Sequence, residues 1–452
     1  MFSIPGVLGL IFLTYVRPQA FVLAFHGVPL LHMVYATAAI GFIIDLRMRL
    51  IRVRIAPLMW LAVLYFLWIL LSLAIGHADL LGAAVPGIVI LFALFFMTAQ
   101  AVQSFRALRT VVIALALISV FLSVVGIHQG LAPFGCFGVR GSPTAAYDGR
   151  SCEKEKDCVL DGDPGVSYRC EKIGLFDTHS VTGRVRWLGI IEDPNELAMC
   201  ISLCVPLLIG LYLRKPSTAS AAVLVLGSMM FMWCVVYTQS RGGQLVFVAA
   251  LGVYFVRRYG VRGAIIVGVL AAPLFLLGGR SGGEADESKL ERIEALYVAS
   301  TLTFQRPLLG VGFGQFTEFN GLTAHNSYAL SGAELGLPGM AIFIAVFYQS
   351  MKSFITVTRR YTAKGPARVA VVWAGALSAA QVGIMVGVFF LSFNTSPILW
   401  TFLGVCNGFQ LAVLRHDPQI DLKLHRRDVY LISAITLSVA SFLYVYSHRQ
   451  AG

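Results

Sequence analysis

Long, nearly uncharged apolar runs recur along the whole of this 452-residue chain, and they constrain the fold more than any other feature. We read them at about residues 4–16, 27–45, 57–76, 82–101, 110–127, 189–213, 218–238, 244–256, 261–278, 338–357, 369–391, 396–414 and 429–447. A run of about 20 apolar residues crosses a bilayer as a helix, because the backbone groups must find their partners within the segment. A closed barrel would show short alternating segments instead. The expected fold is all-α: a polytopic membrane protein with about 12–13 transmembrane helices and two long periplasmic loops. The first run is short for a span. It ends in Tyr15-Val16-Arg17-Pro18 without a small-residue cleavage pattern, so we read it as retained, not as a signal peptide. Only 13% of residues are charged, against about a quarter in soluble domains.

Charge sets the orientation. Six short loops, around Arg47–Arg54, Arg106–Arg109, Arg214–Lys215, Arg257–Arg262, Lys352–Arg368 and Arg415–Arg427, hold 20 of the chain's 35 Lys and Arg residues. Their acids and those at their edges are Asp45, Asp417, Asp421 and Asp428. The positive-inside rule makes this side cytoplasmic. The net charge of +12 then reflects topology. It points to anionic lipid headgroups as partners and to no nucleic acid. The chain divides into N-terminal helices (1–127), an outer loop (128–187), further helices (188–278), a second outer loop (279–337) and C-terminal helices (338–452).

The first outer loop carries eight basic and eight acidic residues, together with Cys136, Cys152, Cys158 and Cys170. Four cysteines in a polar extracytoplasmic segment suggest two disulfides, with three pairings open. The competing reading is a metal site, but no CxxC pair is present. The loop is expected to be a stapled cap that shapes an acceptor or glycan groove. Cys200, Cys204, Cys234 and Cys406 lie in apolar runs and read as packing residues.

The second outer loop opens with GGRSGGEADES, flexible by composition. A helical pattern follows over Lys289–Phe304, and then Gly310-Val311-Gly312-Phe313-Gly314. Glycines at alternate positions allow close backbone approach to a phosphate, although glycines at a membrane turn also serve the turn alone. No Lys-Ser/Thr follows, so this is not a P-loop. Upstream, Arg241 ends an apolar run in TQSRGG on the outer side, against the charge bias. Its guanidinium can grip a phosphate through two hydrogen bonds, or it can simply snorkel to the interface. Asp193-Pro194-Asn195 reads equally well as a helix N-terminus or as a substrate contact.

The motifs EDPNELA (Glu192–Ala198), TQSRGG (Thr238–Gly243), a loop helix carrying Arg292, RPLLGVGFGQF (Arg306–Phe316) and AHNSYALSGAELGLPG (Ala324–Gly339) resemble, in that order, the O-antigen ligase family of membrane glycan transferases. The resemblance covers about residues 187–339. It implies transfer of a glycan from undecaprenyl diphosphate to a sugar hydroxyl at the periplasmic face of the inner membrane. The acceptor is then lipid- or glycan-linked. It implies His325 as general base or as a donor to the diphosphate, and Arg241 as the charge clamp. Arg292 and Arg306 become further clamps. Asn326 and Tyr328 orient acceptor hydroxyls, with Asn195, Gly312, Gly314 and Glu334 in support. Glu334 reads equally as a helix-start acid before Gly336-Leu337-Pro338, with no part in the chemistry.

The resemblance calls for no metal and no cofactor, and no DxD-type acidic pair stands out. A repeat-unit polymerase of the same family fits the same residues. A transporter fits less well, because transporters place ionisable groups near mid-span, whereas the unusual polar residues here gather at the outer edge.

Overall fold

A computed structural model describes every residue except 140–145, 161, 164, 278–282, 363, 364, 366 and 452. The start of the second outer loop therefore lies partly outside the described residues. The helices are α1 (Ser3–Tyr15), α2 (Leu30–Arg47), α3 (Pro57–Gly76), α4 (Leu81–Ala101), α5 (Phe105–Leu131), α6 (Glu155–Leu160), α7 (Pro194–Ser202), α8 (Cys204–Arg214) and α9 (Thr218–Tyr237). They continue as α10 (Arg241–Tyr259), α11 (Val261–Leu277), α12 (Gly283–Gln305), α13 (Thr317–Asn320), α14 (Ser327–Arg360), α15 (Arg368–Gly387), α16 (Pro397–His416) and α17 (Arg426–Ala451).

Among the described residues, ten segments are long and apolar enough to cross a membrane, α7 and α8 together forming one of them. The chain is an all-α, multi-pass membrane protein. The remaining expected spans are also helical but are shorter or more charged. Helix α1 has 13 residues, a rise of only about 20 Å. Helix α10 carries Arg241 at one end and Arg257-Arg258 at the other. Trp60, Leu67, Leu226, Trp233, Ile265, Val269, Leu437 and Phe442 are exposed on the outward faces of the helices, as lipid contact requires.

The core is an aromatic stack. Trp400 lies 4.4 Å from Phe66 and 5.5 Å from Tyr65 between ring centroids, and Tyr65 continues to Phe343 at 5.7 Å. These rings lock α3, α14 and α16 together. Two sets of polar contacts close the ends of the bundle. At the basic-loop end, Gln349 donates to the Leu422 carbonyl at 2.6 Å, and Tyr361 donates to Asp417 at 2.6 Å. At the other end, Trp187 donates to the Val16 carbonyl at 3.1 Å, and Ser327 donates to the Leu391 carbonyl at 2.6 Å.

The segment read as the first outer loop folds, which its composition did not announce. β1 (Phe134–Val139), β2 (Ala146–Ser151) and β3 (Ser167–Lys172) form an antiparallel sheet in the order β2-β1-β3. Cys136 is bonded to Cys158, and Cys152 to Cys170. A unit this small buries little apolar surface, and covalent bridges compensate. The sulfurs of Cys136, Cys152 and Cys158 lie within 4.8 Å of one another because the bridges sit side by side. A metal bound here would need those thiols reduced.

Helix α14 begins at Ser327, well inside the segment read as loop. Pro338 marks a kink in this helix, not its start. Gly336 sits at φ 70° and breaks the ladder. The carbonyls freed there find donors elsewhere, as buried backbone groups must. Val311 donates to the Ala333 carbonyl at 2.8 Å, Gly312 to that of Glu334 at 3.1 Å, and the Trp68 indole to that of Leu335 at 2.9 Å. A Cβ on Gly310 would lie 2.3 Å from the Glu334 carbonyl carbon. The glycine run is a clasp on this kink.

Candidate functional site

Helix N-termini build the site. Ser240 caps α10, its side chain accepting from Gly243 N at 3.0 Å, which leaves Arg241 as the first helical residue. Gly243 is needed because a Cβ there would meet that of Ala198 at 2.2 Å, so α10 seats closely on α7. Asp193 caps α7, accepting from Asn195 N at 2.6 Å, with Pro194 in the first turn. The helix-start reading of Asp193-Pro194 is thus satisfied. The Asn195 side chain takes a further part: its Oδ1 accepts from Ser240 Oγ at 2.6 Å and from Arg184 at 3.2 Å.

Asn326 caps α14 by accepting from Ala329 N at 3.0 Å. Ser327 is pinned on both sides, donating through Oγ to the Leu391 carbonyl and accepting from Phe393 N at 2.7 Å. His325 precedes this fixed pair at φ 49°, a left-handed conformation costly for a non-glycine residue. Its half-buried imidazole lines the cavity.

That cavity measures 320 Å³. It is lined by Arg241, Arg292, His325, Asn326 and Asn195, and also by Arg184, Lys289, Gln239 and Phe390. On α12, Ser288, Lys289, Arg292, Ile293 and Leu296 share one helical face toward it. Four basic side chains meet there, with no carboxylate among the described lining residues. A polyanion is the natural guest of such a space, especially beside the start of a long helix. The pKa of His325 is lowered, first by burial and then by the charge of Arg292, with Asp193 opposing. Both lowering effects favour the neutral imidazole, the form able to accept a proton.

The other sequence candidates lie outside this lining. Gly312 belongs to the clasp. Gly314, at φ 74°, stands in open space on its Cβ side. Buried Glu334 accepts from Phe316 N at 3.5 Å. Tyr328 packs among Phe343, Phe347 and Phe389 and donates to the Met385 carbonyl at 3.4 Å. Exposed Arg306 stands 5.9 Å from the Phe319 ring centroid. Sequence reasoning missed Arg184 and Lys289. Lys289 was legible as one turn before Arg292. Arg184 had no signal within a segment of mixed charge.

The O-antigen ligase family model (Wzy_C) matches residues 222–344. The matched stretch contains Arg241, Arg292 and His325 but neither Asn195 nor the disulfide-bridged sheet. No curated protein matches the chain.

Proposed function

We take the chain's membership of the O-antigen ligase family as premise, an enzyme family of surface polysaccharide biosynthesis, and propose that the cavity transfers a glycan from undecaprenyl diphosphate to an acceptor sugar. The observation that carries this reading is that Arg241, Arg292 and Lys289 line the same cavity as His325, whose pKa burial and Arg292 lower. The acceptor hydroxyl gives its proton to His325 as its oxygen bonds to the anomeric carbon. The bond from that carbon to the phosphate oxygen breaks, and undecaprenyl diphosphate leaves with the electron pair. Arg241 and Arg292 neutralise the charge that grows on the leaving group, which is where fixed donors accelerate such a step most. Asn326 is assigned to the acceptor side, Tyr328 to the aromatic packing that holds the start of α14, and Arg306, Gly312, Gly314 and Glu334 to the support of the turn and kink. The positive-inside pattern supports a site at the periplasmic face of the inner membrane.

The test is transfer by purified protein in lipid nanodiscs, with undecaprenyl-diphosphate glycan as donor and EDTA present. Two acceptors are offered: a lipid-linked core saccharide and a second lipid-linked repeat. Product on the core saccharide supports the ligase reading. Product on the repeat alone makes the chain a polymerase. Activity that returns only with a divalent ion overturns the assignment of charge neutralisation to the arginines.

A further inference from the structure

We infer that Arg184 is a third arginine on the donor's diphosphate, set in place by Glu171 and the disulfide-bridged sheet. This rests on reading the cavity as a lipid-diphosphate site. Arg184 lies outside the stretch that matches the family model, yet it lines the same cavity as Arg241 and Arg292. It is only 6% exposed. Its Nε donates to the Thr238 carbonyl at 2.9 Å and its Nη2 to Asn195 Oδ1 at 3.2 Å. Those partners flank Ser240 and Arg241, so the plane of the guanidinium is fixed against the TQSRGG motif. A planar fork held in this way suits phosphate oxygens.

The backbone that delivers Arg184 is a tight turn. Val181 and Arg184 exchange both of their amide hydrogen bonds at 3.0 Å. The two residues between them, Thr182 and Gly183, have φ 50° and 72°. A two-residue hairpin turn needs both centres left-handed, which glycine accepts and a β-branched threonine resists. The buried carboxylate of Glu171 offsets that resistance. It accepts from Thr182 N at 2.6 Å, from Gly183 N at 3.1 Å and from Ser180 Oγ. Glu171 follows Cys170 on β3, and Cys170 is bonded to Cys152. A continuous path thus runs from the bridge through Glu171 and the turn to the cavity. Glu171 is a positioning residue, and Arg184 is the group that meets the ligand.

The experiment is a binding titration of the full-length protein in nanodiscs with undecaprenyl diphosphate and, separately, undecaprenyl monophosphate. An arginine on the diphosphate raises the preference for diphosphate over monophosphate, whereas a structural role lowers both affinities together. Arg184→Ala should reduce diphosphate affinity about 10- to 100-fold, with the preference reduced. Arg184→Lys should restore part of it, and it serves as the folded variant if the alanine protein does not assemble. Glu171→Gln and the double substitution Cys152→Ser/Cys170→Ser should each reduce the preference in the same direction. An unchanged preference in both Arg184 variants overturns the inference while leaving the cavity reading intact. Failure of the wild-type protein to bind the diphosphate lipid overturns the cavity reading itself. Loss in the Arg184 variants with wild-type behaviour in Glu171→Gln removes the positioning role.

Discussion

Ser240 Oγ donates to Asn195 Oδ1 at 2.6 Å, and this bond joins the N-termini of α10 and α7 at the floor of the cavity. Asn195 also holds Arg184, so one amide ties together two of the elements that carry cations. Removing it takes the acceptor away from the buried Ser240 hydroxyl, at a cost of about 1–3 kcal/mol. Asn195→Ala should lower kcat about tenfold or more with little change in acceptor KM. In a double-mutant cycle Ser240→Ala should add much less than its own single effect. Fully additive losses would show that the two residues act separately.

The pH dependence follows from His325. Burial and Arg292 lower its pKa below the ordinary 6.5. As a base it works deprotonated, so activity should be present above that lowered pKa and lost as pH falls through it. The acid limb of kcat/KM should therefore lie below pH 6.5. In Arg292→Gln the limb of the residual activity should move up, because the repelling charge is gone. A limb that moves down, or does not move, would contradict the assigned coupling.

The clasp on α14 makes a stability prediction. Gly310 and Gly336 are both left-handed, and a Cβ on either would come within 2.5 Å of backbone. Gly314 is left-handed with nothing near its Cβ position. Alanine at 310 or 336 should destabilise the purified protein by on the order of 1–3 kcal/mol or more. At 314 the cost should be about 1 kcal/mol. Thermal unfolding in detergent checks the ranking, and an equal effect at all three sites would mean that the clasp adds nothing.

Orientation can be read chemically. Cys200, Cys204, Cys234 and Cys406 are buried, and the other four cysteines are bridged, so the background to thiol labelling is low. A membrane-impermeant maleimide should label His325→Cys in intact spheroplasts. It should label Ser217→Cys, beside the basic Arg214–Lys215 loop, only after permeabilisation. The reverse pattern would invert the topology.

The spans were legible because one-dimensional hydropathy is enough to specify a helix in lipid. Arg241, Arg292 and His325 were legible because they stand in a recognisable order of short motifs. The sheet was not, since β1 reads FGCFGV, with glycines that weaken any strand pattern, and its second partner, β3, lies well along the chain beyond β2 and α6. The start of α14 was misplaced because Pro338 resembles an N-terminal proline. The kink that accommodates it depends on donors from Val311, Gly312 and Trp68, which only the fold brings near. Arg184 was hidden for a related reason: its position depends on a turn held by Glu171, and no local pattern records that contact.

The most direct test of the central claim is glycan transfer by Arg241→Ala, Arg241→Lys and His325→Ala in nanodiscs, each first shown to be inserted and folded. Loss of one fixed charge contact to a developing anion costs about a hundredfold to a thousandfold in rate, and loss of a general base costs a similar factor. Both alanine variants should fall by at least about a hundredfold. Arg241→Lys should recover little, because a point charge cannot reproduce a two-pronged grip on a diphosphate. Wild-type transfer rates in either alanine variant would remove that residue from the chemistry and contradict the account.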